Sequence, residues 1–302
     1  MRDFTSDILD LLLSTIKSDG YKFMTVAGYL RNPSPGTVIL RHDVDSRPEN
    51  SLRCAQMEKK LGIAGTYYFR TVPGAWNEEV IREIQRMGHE AGYHYEDLAA
   101  AGGDYGKAIK RFEENLAKLR RLVPVETICM HGSPLSKHDN RLLWEKYNYR
   151  DYGIEGEPYL DLDFQTIHYL TDTGRCWNGY RYSIRDRIKP MQKTDMRENK
   201  PEKSGSATGG SSKSRTGEGM PGVKGNGKHE TETGYNTDKE RRYEFRSTHD
   251  IIEAAKSGNL PPVMMITIHP QRWDNRLIPW LKELIWQNTK NVVKRFLTTS
   301  LS

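Results

Sequence analysis

Four apolar runs in this sequence end in residues able to hold a metal or move a proton. They are RHDVD (41–45), GHEAGYHYED (88–97), CMHG (129–132) and ITIHP (266–270). Oxygen and imidazole donors without thiolates suit Zn, Fe, Co or Mn at an open site rather than a closed structural zinc. A divalent metal held so acidifies a water and polarises a carbonyl. A second carboxylate then serves as general base and a separate histidine as general acid toward a leaving amine. Taken singly, a histidine closing a strand is ordinarily a hydrogen-bonded structural residue, and an aspartate there is ordinarily a turn former or helix cap. Four separate strand ends supplying such side chains favour one shared site.

Strand alternation selects among the candidates. Arg41, Asp43 and Asp45 share one face of their strand, and His42 and Val44 take the other. Glu90, Gly92 and His94 share a face, while His89 and Tyr93 point away. His131 and His269 each end a strand of their own. Two carboxylates and three imidazoles are thus expected to converge, with His42 and His89 left as structural residues.

Strands and helices must alternate to bring these ends together. Helices are expected over residues 5–17, from Pro48 to Leu61, from Asn77 to Met87, near 104–122 and 140–147, over 248–256 and from Pro279 onward. Between them lie apolar runs at 37–45, 66–69, 89–95, 127–131 and 263–269, with short strands expected at Tyr159–Leu160 and Tyr169–Thr171. This alternation predicts an α/β fold with a mainly parallel sheet. No G-x-G-x-x-G follows any strand, which favours a distorted, partial (β/α) barrel over an open doubly wound sheet. Parallel β/α folds gather their sites at the C-terminal strand ends, where these residues fall.

Residues 1–302 read as a single domain of this kind, interrupted by an insertion at 191–241 rich in Gly, Ser and Lys. That stretch has too few apolar residues to offset the entropy of ordering and is expected to be disordered. The formal charge of +6 arises from 46 basic and 40 acidic residues, largely interspersed, so no nucleic-acid partner is expected. Three widely spaced cysteines make neither a disulfide framework nor a thiolate zinc site. The leucine-rich N-terminus is interrupted by Asp7 and Asp10, so it reads as an amphipathic helix rather than a signal or transmembrane segment. A cytoplasmic location is the corresponding expectation.

RHDVD, GHEAGYHYED and ITIHPQRW together resemble motifs of the NodB-type polysaccharide deacetylase superfamily, carbohydrate esterases with a distorted β/α barrel. They are more similar to its divergent branch, which begins its first motif with HDVD and turns up in surface-polysaccharide gene clusters. The resemblance runs from Gly36 to Trp273 outside the insertion. It implies Asp43 as catalytic base, Asp45 as a metal ligand, His94 as the first metal histidine and His269 as general acid. Beside the resemblance, Arg41 on the same strand face is expected to hold Asp43 ionised through a charge-assisted hydrogen bond. The family's second metal histidine would fall at Leu98. His131 is therefore taken as third ligand, with Glu96 as the alternative. Tyr67, Tyr93, Tyr95, Tyr152, Trp177 and Trp273 are the aromatic candidates for stacking on a sugar, with Tyr95, Trp177 and Trp273 preferred, and Asp172 and Trp177 are placed on a rim loop. The implied activity is zinc-type hydrolysis of an N-acetyl group on a nucleotide- or lipid-linked sugar. Two rivals remain: hydrolysis of another non-peptide C–N bond, such as a cyclic amide, without metal, and an inactive glycan-binding module.

Overall fold

The structure, a computed structural model, describes residues 2–132, 136–177 and 243–299; the insertion at 191–241 lies outside them. Seven strands form its sheet: β1 (Lys22–Met24), β2 (Thr37–Val44), β3 (Thr66–Phe69), β4 (Glu90–Tyr95), β5 (Ile128–Met130), β6 (His168–Thr171) and β7 (Val263–Ile268). The order is β5-β4-β3-β2-β7-β6, and every pairing is parallel. β7 runs along one edge of β2 from Thr37 to His42, so the other edge is shared in tandem by β1 and then β3. The outer strands β5 and β6 do not pair with each other among the described residues, which leaves the curled sheet a half-barrel. β6 precedes the insertion and β7 follows it, yet they are neighbours. The chain on both sides of residues 190–242 therefore builds one unit.

Local chemistry accounts for the helices. Thr5 caps Ser6–Ser18 by accepting from the Ile8 amide, and Ile8, Leu9, Leu12, Leu13 and Ile16 then fall on its buried face. Pro48 opens Pro48–Lys60, where a missing N–H costs nothing, and Gly62 follows its end at φ +62°. Asn77 caps Glu78–Arg86 through the Glu79 and Val80 amides. Two expectations change. Tyr159–Leu160 is not a strand but part of a helical turn, Pro158–Asp161, because Pro158 stands at its first position and the Glu157 carboxylate caps the Tyr159 and Leu160 amides. The last helix begins two residues earlier than expected, at Leu277.

All eight residues of β2 are buried, as a parallel strand covered on both faces requires. Alternation splits the core in two. Val38, Leu40, Val44, Tyr67, Tyr93, Tyr95, Ile266 and Ile268 pack outward under the helices. Ile39, Tyr68, Cys129 and Met265 fill the concave side with Val26 and Leu162. Gly92 is required there: a Cβ at that position would lie 2.4 Å from the Tyr68 ring. With the glycine in place, Tyr68 lies over β4 and its hydroxyl reaches Thr127 Oγ1 at 2.8 Å. Above this apolar layer the concave side turns polar, at the C-terminal strand ends. Among the described residues, no helix is long and apolar enough to cross a membrane.

Candidate metal centre

Arg41 and Asp43 stand on the concave face of β2, directly above Ile39. Their side chains form a two-bond fork, Arg41 Nε to Asp43 Oδ1 at 2.8 Å and Nη2 to Oδ2 at 2.7 Å, with both groups almost fully buried. The Arg41 guanidinium lies 4.8 Å from the centre of the Tyr159 ring and 5.7 Å from that of Tyr68. Burial would raise the Asp43 carboxyl, but Arg41, His94 and His269 outweigh it and hold Asp43 below the usual carboxylate range.

Asp45, two residues on, is the next carboxylate at this rim. Its Oδ1 is buried without any hydrogen bond, 3.2 Å from His131 Nδ1 and 3.7 Å from His94 Nε2. One ligand atom from each of Asp45, His94 and His131 lies within 4.8 Å of the others. β4 and β5 are paired with His94 opposite Cys129, which sets His131 beside His94 two positions further along. The Cys129 carbonyl accepts from His94 Nδ1 at 2.9 Å, so the ring carries its proton there and turns the Nε2 lone pair toward the aspartates. Burial pushes His94 down to about 4, which keeps it neutral, as a metal ligand must be. Burial acts on His131 in the same direction, but Asp45 overrides it and raises this imidazole above its ordinary value. Asp45 itself is held well below the carboxylate range: His131, His269 and His94 outweigh the effect of its burial.

This donor set fits a divalent metal. Ligands about 2.1 Å from a tetrahedral ion stand about 3.4 Å apart, close to the two separations around Asp45 Oδ1. Without an ion the charge of Asp45 is balanced by His131, and a divalent cation suits the same convergence of one carboxylate and two imidazoles. Glu96, the alternative ligand, is engaged elsewhere: Arg70 Nη2 donates to both its oxygens at 2.8 Å, and His131 Nε2 is 3.9 Å away.

His269 approaches from β7, its Nε2 3.9 Å from Asp45 Oδ2. Asp172, just after β6, holds it. That carboxylate accepts from His269 Nδ1 at 2.6 Å, the His269 amide at 2.9 Å, Arg272 Nη1 at 2.7 Å and Trp273 Nε1 at 2.8 Å. Burial works against ionisation here, yet Arg272 and His269 draw Asp172 down to about 2. With Nδ1 fixed on Asp172, Nε2 is the atom left for chemistry. The sequence placed Asp172 on a rim loop but not beside His269; the parallel β6–β7 pairing across the insertion supplies that neighbourhood. Glu157 was not foreseen at all. Burial pushes it up to about 7, and it accepts from the Met130 amide at 2.9 Å, tying β5 to the Pro158–Asp161 turn. Its only sequence signal is a Glu-Pro pair suited to a helix cap.

The three preferred aromatic candidates are corrected, as are Tyr67 and Tyr93, buried on the outward face, and Tyr152, packed on Phe112. Tyr95 shares the outward face with Tyr93 and is buried against Phe112 and Trp144, because a one-residue step from His94 reverses the side-chain direction. Trp177 is buried beside Phe4 and Trp273 and donates to Thr248 Oγ1 at 2.9 Å. Trp273 is buried with its indole N–H on Asp172. None offers a ring face to a sugar; Trp273 supports His269 through Asp172 instead. Leu98, where a further histidine would fall, is an apolar core residue of the turn Asp97–Ala100.

Comparison with protein-family models gives no match, and neither does comparison with curated proteins.

Proposed function

We propose that this chain is a metal-dependent hydrolase that removes an N-acetyl group from a sugar. The observation that carries the reading is the open Asp45–His94–His131 triad flanked by a carboxylate and an imidazole, each fixed by a partner of its own. Asp45 Oδ1, His94 Nε2 and a ring nitrogen of His131 would hold the ion, with zinc the first choice for this donor set. When bound, the ion supplies Lewis acidity toward a water and toward the amide carbonyl.

The chain's own residues account for the proton movements. Asp43, kept ionised by Arg41, accepts the proton of the attacking water at the oxygen edge facing His94 (Oδ2 to Nε2, 3.7 Å). His269, held at Nδ1 by Asp172, carries a proton at Nε2 and gives it to the departing amine. The base and the acid thus approach the triad from neighbouring strands, β2 and β7, as attack and departure at one carbonyl carbon require. The metal-free alternative, hydrolysis of a cyclic amide, leaves the convergence of Asp45, His94 and His131 without a role.

The test is acetate release by metal-loaded protein from a panel of N-acetylated nucleotide sugars and lipid-linked N-acetyl sugars. Release that requires both the metal and Asp43 is expected. A fully metallated protein that frees acetate from none of them would remove the reading.

A further inference from the structure

The helix Leu277–Thr299 is turned the opposite way from a helix that belongs to a core. Its polar residues Glu283 and Gln287 are buried, while Ile278, Ile285 and Trp286 are 67%, 65% and 55% exposed. Ile278, Leu281 and Ile285 follow one another at i, i+3 and i+7, a continuous outward stripe. Glu283, Gln287 and Asn291 repeat every four residues on the other side. The orientation is fixed by specific bonds: Trp280 Nε1 donates to the Asp3 carbonyl at 2.8 Å, and Asn291 Nδ2 to that of Gly174 at 3.0 Å. Gln287 donates to Glu283 at 2.7 Å, which pairs these two buried polar side chains with each other. Isolated exposed leucines are ordinary, but a stripe of this kind calls for a cover.

Charge identifies the cover. Residues 274–302 contain Arg276, Lys282, Lys290, Lys294 and Arg295 against two acids, Asp274, which pairs with Arg276, and Glu283, which is buried. Five minus two leaves +3 here, half of the chain's +6. Two copies meeting through this helix would bring like charges together, whereas an anionic surface satisfies both the apolar stripe and the basic residues. A helix with an apolar side carrying Ile, Leu and Trp, bordered by Lys and Arg, is the kind that lies in a membrane interface without spanning it.

We propose that Leu277–Thr299 docks this chain on an anionic lipid bilayer, with Ile278, Leu281, Ile285 and Trp286 seated among the headgroups. The proposal does not depend on which bond the Asp45 site cleaves. It is tested by co-sedimenting the full chain with vesicles of phosphatidylcholine alone and vesicles also containing phosphatidylglycerol, with light scattering to give its mass in solution. Binding to the phosphatidylglycerol vesicles, weakened by salt and accompanied by a blue shift of tryptophan emission, is expected. The triple variant Ile278→Ser, Ile285→Ser, Trp286→Ser should keep its melting temperature, since these side chains are exposed, and lose vesicle binding. Lys282→Glu should weaken binding at least roughly fivefold. No binding to anionic vesicles would overturn the proposal, as would binding unchanged in the triple variant. A dimer in solution that the triple variant breaks would assign the stripe to a second copy and overturn it likewise.

Discussion

Two histidine–carboxylate clusters lie on opposite faces of the sheet, and they differ in whether solvent reaches them: His42, His89 and Glu58 are fully buried, whereas Asp45 and His131 are partly exposed. On the outward face, His89 accepts from the Gly65 amide at Nδ1 and faces the Ala55 carbonyl at Nε2, and Tyr67 donates to Glu58 at 2.8 Å. His42 stacks on Tyr67 at 4.0 Å between centroids, its Nε2 2.8 Å from Glu58 though off the line of a hydrogen bond. This cluster is sealed under Pro48–Lys60. On the concave face, at the C-terminal strand ends, Asp45 and His131 retain 23% and 15% exposure, and Asp45 Oδ1 faces His131 Nδ1 at 3.2 Å and His94 Nε2 at 3.7 Å. Identical residue types therefore serve structure or chemistry according to strand parity and to whether the end of the strand is covered.

The contrast can be broken most severely at Asp43, the proposed base. Asp43→Asn keeps the shape and the metal but accepts no proton, so acetate release should fall on the order of 10²-fold or more with metal content unchanged. Arg41→Met should move the acidic limb of the pH–rate profile upward, since the guanidinium is what keeps Asp43 below the carboxylate range. Near-normal turnover in Asp43→Asn would contradict the assigned role.

The sealed cluster should answer in stability instead. Glu58→Ala strands the Tyr67 hydroxyl and removes the partner of His42, and should cost about 2–3 kcal/mol in urea unfolding. Metal content should be unaffected. A Glu58→Ala protein of full stability that has lost its metal would erase the distinction between the clusters.

A pH titration sharpens it further. In metal-free protein His131 has a raised pKa, so its pairing with Asp45 contributes stability below the ordinary imidazole value and loses it as pH rises through the raised one. Metal binding must displace that proton. Apparent metal affinity should therefore fall about tenfold per pH unit below the His131 pKa, with one proton released per ion, because His94 is already neutral above about 4. Calorimetry in buffers of different ionisation enthalpy measures this; release of no proton below that pKa would be inconsistent with His131 as ligand. The smallest effect belongs to Trp177→Phe, which loses one buried bond to Thr248. It should cost about 1 kcal/mol of stability and leave KM unchanged, as for a core residue rather than a sugar platform.

The sequence carried six of the seven strands, their parallel sense and the convergence of five polar residues because periodicity of two and strand-end position are local properties. Parity separated His42 and His89 from His94 correctly, and the same rule applied to Tyr95 would have withdrawn it from the rim. What could not be read depended on contacts distant in the chain. Asp172 meets His269 across 97 positions, and only the β6–β7 pairing joins them. Short, weakly apolar β1 gave no usable pattern, and Glu157 became visible only once the Pro158–Asp161 turn was built on it.

The central claim is that Asp45, His94 and His131 hold one divalent ion while the histidines one strand face away do not. Metal content per chain, measured by mass spectrometry after chelation and reloading with zinc, tests it in His94→Ala, His131→Ala, Glu96→Ala and His42→Ala. One ion in the unmodified chain, in Glu96→Ala and in His42→Ala, with loss in the other two, is the predicted result. Full occupancy in His131→Ala, or its loss in Glu96→Ala alone, would contradict the site described.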